Sequence, residues 1–161
     1  MIYITLGTQG NDFSRCLKMV EQLIEKRGIT DEVIAQVGNS RYRPKGVKCF
    51  EYVLEVDYQK YIQEADVIIT HAGSGALFSS IKKGKKTIAV ARLYKYSEMD
   101  DDHQTELVRK LTEGGYILDG TYSIVDAWDK LDGFVPRSND FECTIPKRIE
   151  EILTEWGVEK K

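Results

Sequence analysis

The sequence lacks most of the devices that would place it among stapled, membrane or polyanion-binding proteins. Its three cysteines, Cys16, Cys49 and Cys143, are odd in number, widely spaced and free of any Cys-x-x-Cys pair, which excludes a disulfide framework or a zinc knuckle. No apolar run approaches the roughly 20 residues that span a bilayer, and Met1-Ile2-Tyr3-Ile4-Thr5-Leu6 has no basic leader or cleavage-like site. Basic residues do not collect into one long run, and a formal net charge of -3 is too mild for a polyanion binder, so nucleic acid is not an expected partner. There is no Gly-Lys-Ser or Gly-Lys-Thr for a P-loop and no Gly-x-Ser-x-Gly elbow for an α/β hydrolase. No internal repeat or low-complexity tract is present. A reducing cytoplasm fits this cysteine usage.

What remains is an ordinary soluble composition, 42% hydrophobic and 30% charged, over 161 residues. That length predicts one domain with a core large enough to need neither disulfide nor metal. Ile2 to Leu6 reads as a strand stopped by Gly7-Thr8-Gln9-Gly10, with Asn11 or Asp12 able to cap the next helix. In that helix Phe13, Cys16, Leu17, Val20, Leu23 and Ile24 recur at spacings of three and four until Lys26-Arg27-Gly28. Val33 to Val37 and Val47 to Val53 read as strands, and Tyr58 to Glu64 as a short helix. The run from Asp66 to Thr70 reads as the clearest buried strand, followed by glycines and a helical pattern in Ala76, Leu77, Ser80 and Ile81. Further along, strands are expected at Thr87 to Ala91 and Tyr116 to Leu118. Helices are expected from about Asp102 to Thr112, from Ile124 to Leu131 and from Ile145 to Trp156.

Strands alternating with helices predict an α/β fold, a Rossmann-like doubly wound parallel sheet that binds ligands beyond the carboxyl ends of its strands. That rule brings Gly7-Gly10 and His71-Gly75 to one place. A loop that ends a parallel strand and opens a helix offers unpaired N–H groups and the positive end of a helix dipole, both suited to a diphosphate. Gly73 and Gly75 would allow close approach; equally, they could make only a tight turn with Ser74 as its cap. Phe78 occupies the third glycine position of a dinucleotide fingerprint, which weakens that reading.

The wider pattern resembles the C-terminal, donor-binding domain of family 28 glycosyltransferases, from Met1 to about Leu118. It rests on Ile4-Thr5-Leu6-Gly7-Thr8, on the run from Ala65 to Gly75, and on Asp102-His103-Gln104 with Glu106-Leu107. Freestanding members of this length are similar: the small subunit of the eukaryotic dolichol-linked N-acetylglucosamine transferase, and bacterial capsule or exopolysaccharide subunits. The resemblance implies one half of a GT-B enzyme, a single UDP-sugar-binding domain over residues 1–161 with a helical tail at 123–157. It implies that a membrane-associated partner holds a polyprenyl-diphosphate-linked acceptor and supplies the base, keeping this cytoplasmic chain at the inner face of the membrane, with inversion at the anomeric carbon. The catalytic residues are then unassigned in this chain, and no metal or other cofactor is expected; Asp100-Asp101-Asp102 only superficially resembles the metal motif of another transferase fold.

Residue by residue, the resemblance puts Gly7 and Thr8 in the first glycine loop and Gly73, Ser74 and Gly75, with Ala72, in the donor diphosphate loop. His71 shapes that loop, the alternative being a hydrogen-bonded structural imidazole. Gln104, with His103, is the residue expected to bind donor sugar hydroxyls, because an amide donates and accepts together. The other reading of this segment is a solvated helix start. Three positions depart from the family: Ser79 stands where a ribose-binding glutamate is usual, Lys86 where proline is common, and Arg92-Leu93 where a proline-containing turn is common. A noncatalytic scaffold or enhancer subunit of a transferase complex is the rival reading, sustained by Ser79. The aromatics Trp128, Phe134 and Trp156 lie beyond the resemblance and read as core or as a partner-docking surface.

Overall fold

The computed structural model describes residues 1–137; the expected helix from Ile145 to Trp156, and Cys143, lie outside the described residues. Among the described residues six strands form one sheet, β1 (Ile2–Thr5), β2 (Val33–Gln36), β3 (Lys48–Phe50), β4 (Val67–His71), β5 (Lys86–Val90) and β6 (Leu118–Asp119). All pairings are parallel and the spatial order is β3-β2-β1-β4-β5-β6. The helices are α1 (Ser14–Arg27), α2 (Glu55–Glu64), α3 (Ser74–Lys82), α4 (His103–Glu113) and α5 (Ile124–Trp128), with one 3-10 turn at Tyr94–Tyr96. This is the doubly wound sheet expected from the alternation of elements.

Both faces of the sheet are covered, so the central strands are apolar on both sides rather than alternating. On one face Ile4, Ala35, Ile69 and Ile88 pack against Cys16, Leu17, Val20 and Leu23 of α1 and against Ile124 and Ala127 of α5. On the other, Tyr3, Ile34 and Ile68 meet Ile62 of α2. Ala89 and Ala91 meet Leu77 and Ile81 of α3 and Val108 and Leu111 of α4. Trp128 packs against the first of these clusters, as core rather than free surface.

Local details differ from the sequence reading where side chains found other partners. Neither Asn11 nor Asp12 caps α1: Phe13 holds the cap position without a side-chain bond, and Asp12 instead accepts from Ser14 Oγ at 2.7 Å and from the Arg41 N–H at 2.9 Å. At the other end Gly28, at φ 57, gives the left-handed stop that the sequence indicates. β3 covers only Lys48–Phe50 and not Val47 to Val53. α2 starts at Glu55, three residues before the expected Tyr58, with Glu55 and Asp57 in its first turn where negative charge suits the dipole. β6 covers Leu118–Asp119 and not Tyr116 to Leu118; Ile117, just before it, is buried against α4.

Candidate functional site

The strand order reverses direction between β1 and β4, and a crevice opens at that point beyond their carboxyl ends, as in other doubly wound sheets. It is a cleft of about 460 Å3. Gly7 and Thr8 follow β1 on one side; His71, Gly73, Gly75, Ala76 and Ser79 of the β4–α3 segment form the floor; Val53, just before α2, and Glu55, Tyr58 and Gln59 of α2 form the far wall. A second cavity, about 480 Å3, lies at the opposite end of the sheet among Asp66, Lys85, Lys86 and Trp128. The topology selects the first as the ligand site.

Only Ala72 and Gly73 separate the end of β4 from the start of α3. Gly73 takes the N-cap position in extended conformation with no side-chain cap, so Ser74 is the first helical residue and not the cap. The Leu77 N–H is the first to reach a helical carbonyl, that of Gly73 at 3.1 Å. The amides of Ser74, Gly75 and Ala76 therefore precede the helical ladder, and the positive end of the α3 dipole faces the cleft. A Cβ at Gly75 would meet no atom within 4 Å; the glycine leaves open space above these amides. Among the described residues no lysine or arginine lines the cleft, and His71 is neutral, so an anion held here would rest on backbone dipoles.

His71 Nδ1 lies 3.3 Å from the Thr5 carbonyl oxygen. A carbonyl only accepts, so Nδ1 carries the proton and Nε2 keeps its lone pair. Burial, the largest cause, pushes the imidazole pKa down to about 4; the Thr5 carbonyl raises it and the nearby Arg92 charge lowers it further. His71 is therefore neutral at physiological pH.

The remaining expected residues are less uniformly placed. Gly7, Thr8, His71, Gly73, Gly75 and Ser79 all line the cleft. Ala72 is buried among the α3 and α4 side chains, and Ser74 is exposed at the helix start. Gln104 is 3% exposed, and its Oε1 accepts from the Arg92 N–H at 3.0 Å. It lies outside the cleft lining and braces the turn after β5. His103 is exposed, its ring paired with Asp101, whose carboxylate also accepts from the His103 N–H and is held below the usual range by these bonds. Asp102 accepts from the Tyr94 N–H at 2.8 Å. The acidic run is thus engaged in local turn chemistry.

Arg92, where the family commonly has a proline turn, is fully buried. Its guanidinium donates to the carbonyls of Leu6 (3.1 Å), Asn11 (3.0 Å) and Glu98 (3.3 Å) and stacks over Phe13 at 4.4 Å from the ring centroid. Arg15 holds both carboxylate oxygens of Glu98 at 2.9 Å. Together they tie the Gly7 loop, α1 and the β5–α4 connection into one frame. Lys86, the other position without proline, donates to the Leu131 carbonyl at 2.7 Å.

Seven lining positions were not among the expected site residues: Thr5, Gln36, Val53, Glu55, Tyr58, Gln59 and Ala76. The available signal was the start of α2, where acidic Glu55 and Asp57 after an extended Leu54 mark a helix N-terminus.

With this geometry in view, comparison with known proteins is specific. The model of the glycosyltransferase family 28 C-terminal domain matches residues 1–124. The human UDP-N-acetylglucosamine transferase subunit ALG13 is 27% identical over 125 residues, 73% of this chain and 11% of that protein. The Candida glabrata subunit of the same name is 27% identical over 92 residues, 54% of this chain and 44% of that protein. The chain thus spans about a tenth of the human relative and under half of the fungal one. Among solved structures, Acinetobacter baumannii MurG superposes with a TM-score of 0.55 at 17% identity, covering 97% of this chain and 44% of that one. The calicheamicin glycosyltransferase CalG4 gives 0.54 at 15%, covering 96% and 38%. At such identities these two likenesses establish the fold alone, a doubly wound α/β domain. The family match establishes membership: the chain belongs to glycosyltransferase family 28 and carries its C-terminal domain.

Proposed function

We propose that this domain is the donor-binding half of a two-part transferase, holding a UDP-sugar in the β1/β4 cleft. The carrying observation is the pairing of a switch-point cleft with the uncapped α3 N-terminus, open above Gly75. The ALG13 relatives are UDP-N-acetylglucosamine transferase subunits, which favours N-acetylglucosamine as the sugar; nothing in the comparisons favours capsule or exopolysaccharide synthesis over other lipid-linked pathways.

In this reading the acceptor hydroxyl attacks the anomeric carbon, the bond from that carbon to the diphosphate oxygen breaks, and the proton passes to a base on the partner. UDP leaves as an anion. The amides of Ser74, Gly75 and Ala76 and the α3 dipole stabilise the charge that grows on the diphosphate, with no metal or other cofactor required. Gly7 and Thr8 close the cleft from the β1 side. Gln104 and His103 act on the donor sugar through the loop they hold after β5. A membrane-associated partner supplies the lipid-linked acceptor and places the cytoplasmic chain at the membrane. No helix among the described residues is long and apolar enough to cross a membrane. Tyr52, Leu54 and Val56, exposed beside the cleft wall, offer apolar surface that suits contact with such a partner.

Isothermal titration tests the reading. UDP and UDP-N-acetylglucosamine should bind the chain with one site, and uridine far more weakly, because the diphosphate carries the main contact. Absence of binding by UDP and every UDP-sugar would favour the second reading, a noncatalytic scaffold subunit, for which Ser79 in place of the family's glutamate is the specific observation.

A further inference from the structure

Among the described residues, the lining of the cleft holds one ionised side chain, and it is acidic. Glu55 opens α2 on the wall opposite the His71–Gly75 floor. A carboxylate cannot share its end of the cleft with a diphosphate, since like charges close together repel. The diphosphate therefore belongs at the α3 N-terminus, and the wall at Glu55 faces an uncharged, hydroxyl-bearing part of the ligand. Gln59 Nε2 donates to Glu55 Oε1 at 2.8 Å, one helical turn on. That bond engages Oε1 and leaves Oε2 of this exposed carboxylate without a hydrogen-bond partner among the described residues. Tyr58 lies between Glu55 and Ser79. Burial raises its phenol pKa most, the Glu55 charge raises it further, and the Ser79 hydroxyl lowers it.

We infer that Glu55 is a specificity-determining residue of this chain, its carboxylate accepting hydrogen bonds from the ribose hydroxyls of the nucleotide across the cleft from Ser79. The inference rests on the donor-binding reading above and deepens it. It assigns to α2 a task that Ser79, a short hydroxyl on α3, cannot perform by the same chemistry: a vicinal diol offers two donors, and an ionised carboxylate accepts both. It also sets the direction in which the ligand lies, diphosphate toward Gly75 and nucleoside toward Glu55.

The test compares UDP with 2′-deoxy-UDP on the full chain by isothermal titration, using wild type, Glu55→Ala and Asp57→Asn. Asp57 shares the first turn of α2 and its dipole but does not line the cleft. Wild type should prefer UDP by about tenfold or more, the scale of a hydrogen bond to a charged group. Glu55→Ala should bring that ratio close to one while leaving 2′-deoxy-UDP affinity unchanged, and Asp57→Asn should keep the wild-type preference. If Glu55→Ala retains the preference, or if Asp57→Asn loses it equally, the assignment of Glu55 is overturned while donor binding stands. If wild type binds neither nucleotide, the donor-binding reading falls and the role of Glu55 falls with it.

Discussion

The imidazole of His71 lies against both Gly7 and Gly73, and a side chain at either glycine would collide with it. A Cβ at Gly7 would stand 2.6 Å from His71 Cε1 and Nε2, and one at Gly73 would stand 2.9 Å from Cδ2 and Cε1. The two glycine loops of the cleft are therefore held together by one neutral ring. These glycines make room for a side chain of the protein itself, whereas Gly75 leaves room for a ligand.

This contact predicts a coupling. Gly73→Ala should cost about 1–3 kcal/mol by overpacking, and most of that cost should vanish in a His71→Ala background. A double-mutant cycle in urea should return an interaction energy of about 1 kcal/mol or more. Strictly additive costs would mean that His71 is not what requires the glycine. Gly7→Ala should be rescued less, because its φ of 73 is itself unfavourable for a side chain.

The depressed pKa of His71 predicts acid sensitivity with a definite sign. In the unfolded chain this histidine binds a proton near its ordinary 6.5, whereas in the fold it stays neutral down to about 4. Between those values the unfolded state holds more protons, so stability falls as pH falls. The full loss is on the order of 3 kcal/mol, from about 1.4 kcal/mol per pH unit. Unfolding free energies measured from pH 7 to pH 4 should decline more steeply for wild type than for His71→Gln. Parallel slopes would contradict the neutral assignment. UDP-sugar affinity should stay flat from pH 6 to 8, since His71 does not titrate there and a diphosphate esterified at both ends has no proton to lose in that range.

Gln104 gives a sharper choice. As the acceptor for the buried Arg92 N–H, it should destabilise the fold by about 1–3 kcal/mol when changed to alanine, read as a lower melting temperature. If it also selects the sugar, Gln104→Glu in the partnered enzyme should raise KM for UDP-N-acetylglucosamine beyond what the stability loss explains. A melting-temperature loss with an unchanged KM would restrict Gln104 to bracing.

Arg92 should be the costliest single loss in the frame. Arg92→Leu leaves the Leu6, Asn11 and Glu98 carbonyls without their donor. A loss of about 3–5 kcal/mol is expected, the scale for breaking buried charged networks, checked by chemical denaturation. A change under about 1 kcal/mol would show that water replaces the guanidinium at no great cost.

The parts of the fold that were legible in the sequence are those where one requirement dominates. Val67–His71 was plain because a parallel strand covered on both faces must be apolar throughout, and α1 because its stripe ends at a glycine that only a left-handed stop requires. Gly7, His71, Gly73 and Gly75 came together because the parallel topology fixes where β1 and β4 end. The wall of the cleft was not legible: Glu55, Tyr58 and Gln59 are ordinary polar helix residues, and only the tertiary placement of α2 turns them toward the floor. Gln104 shows the converse. Its spacing from β5 is visible in sequence, but whether its amide faces ligand or backbone depends on Arg92, a buried charge that composition gives no reason to expect.

The central claim is that the β1/β4 cleft, and not another surface, holds a uridine diphosphate with its phosphates at the α3 N-terminus. Titration of UDP into the 15N-labelled chain, followed by amide chemical shifts, tests this most directly. The largest shifts are predicted at Gly7, Thr8 and Gly73 through Ala76, with a second group at Glu55 through Gln59, and Gly75→Trp should abolish them while leaving the fold intact. No shifts at saturating UDP, or shifts concentrated at Lys85, Lys86 and Trp128 around the opposite cavity, would contradict it.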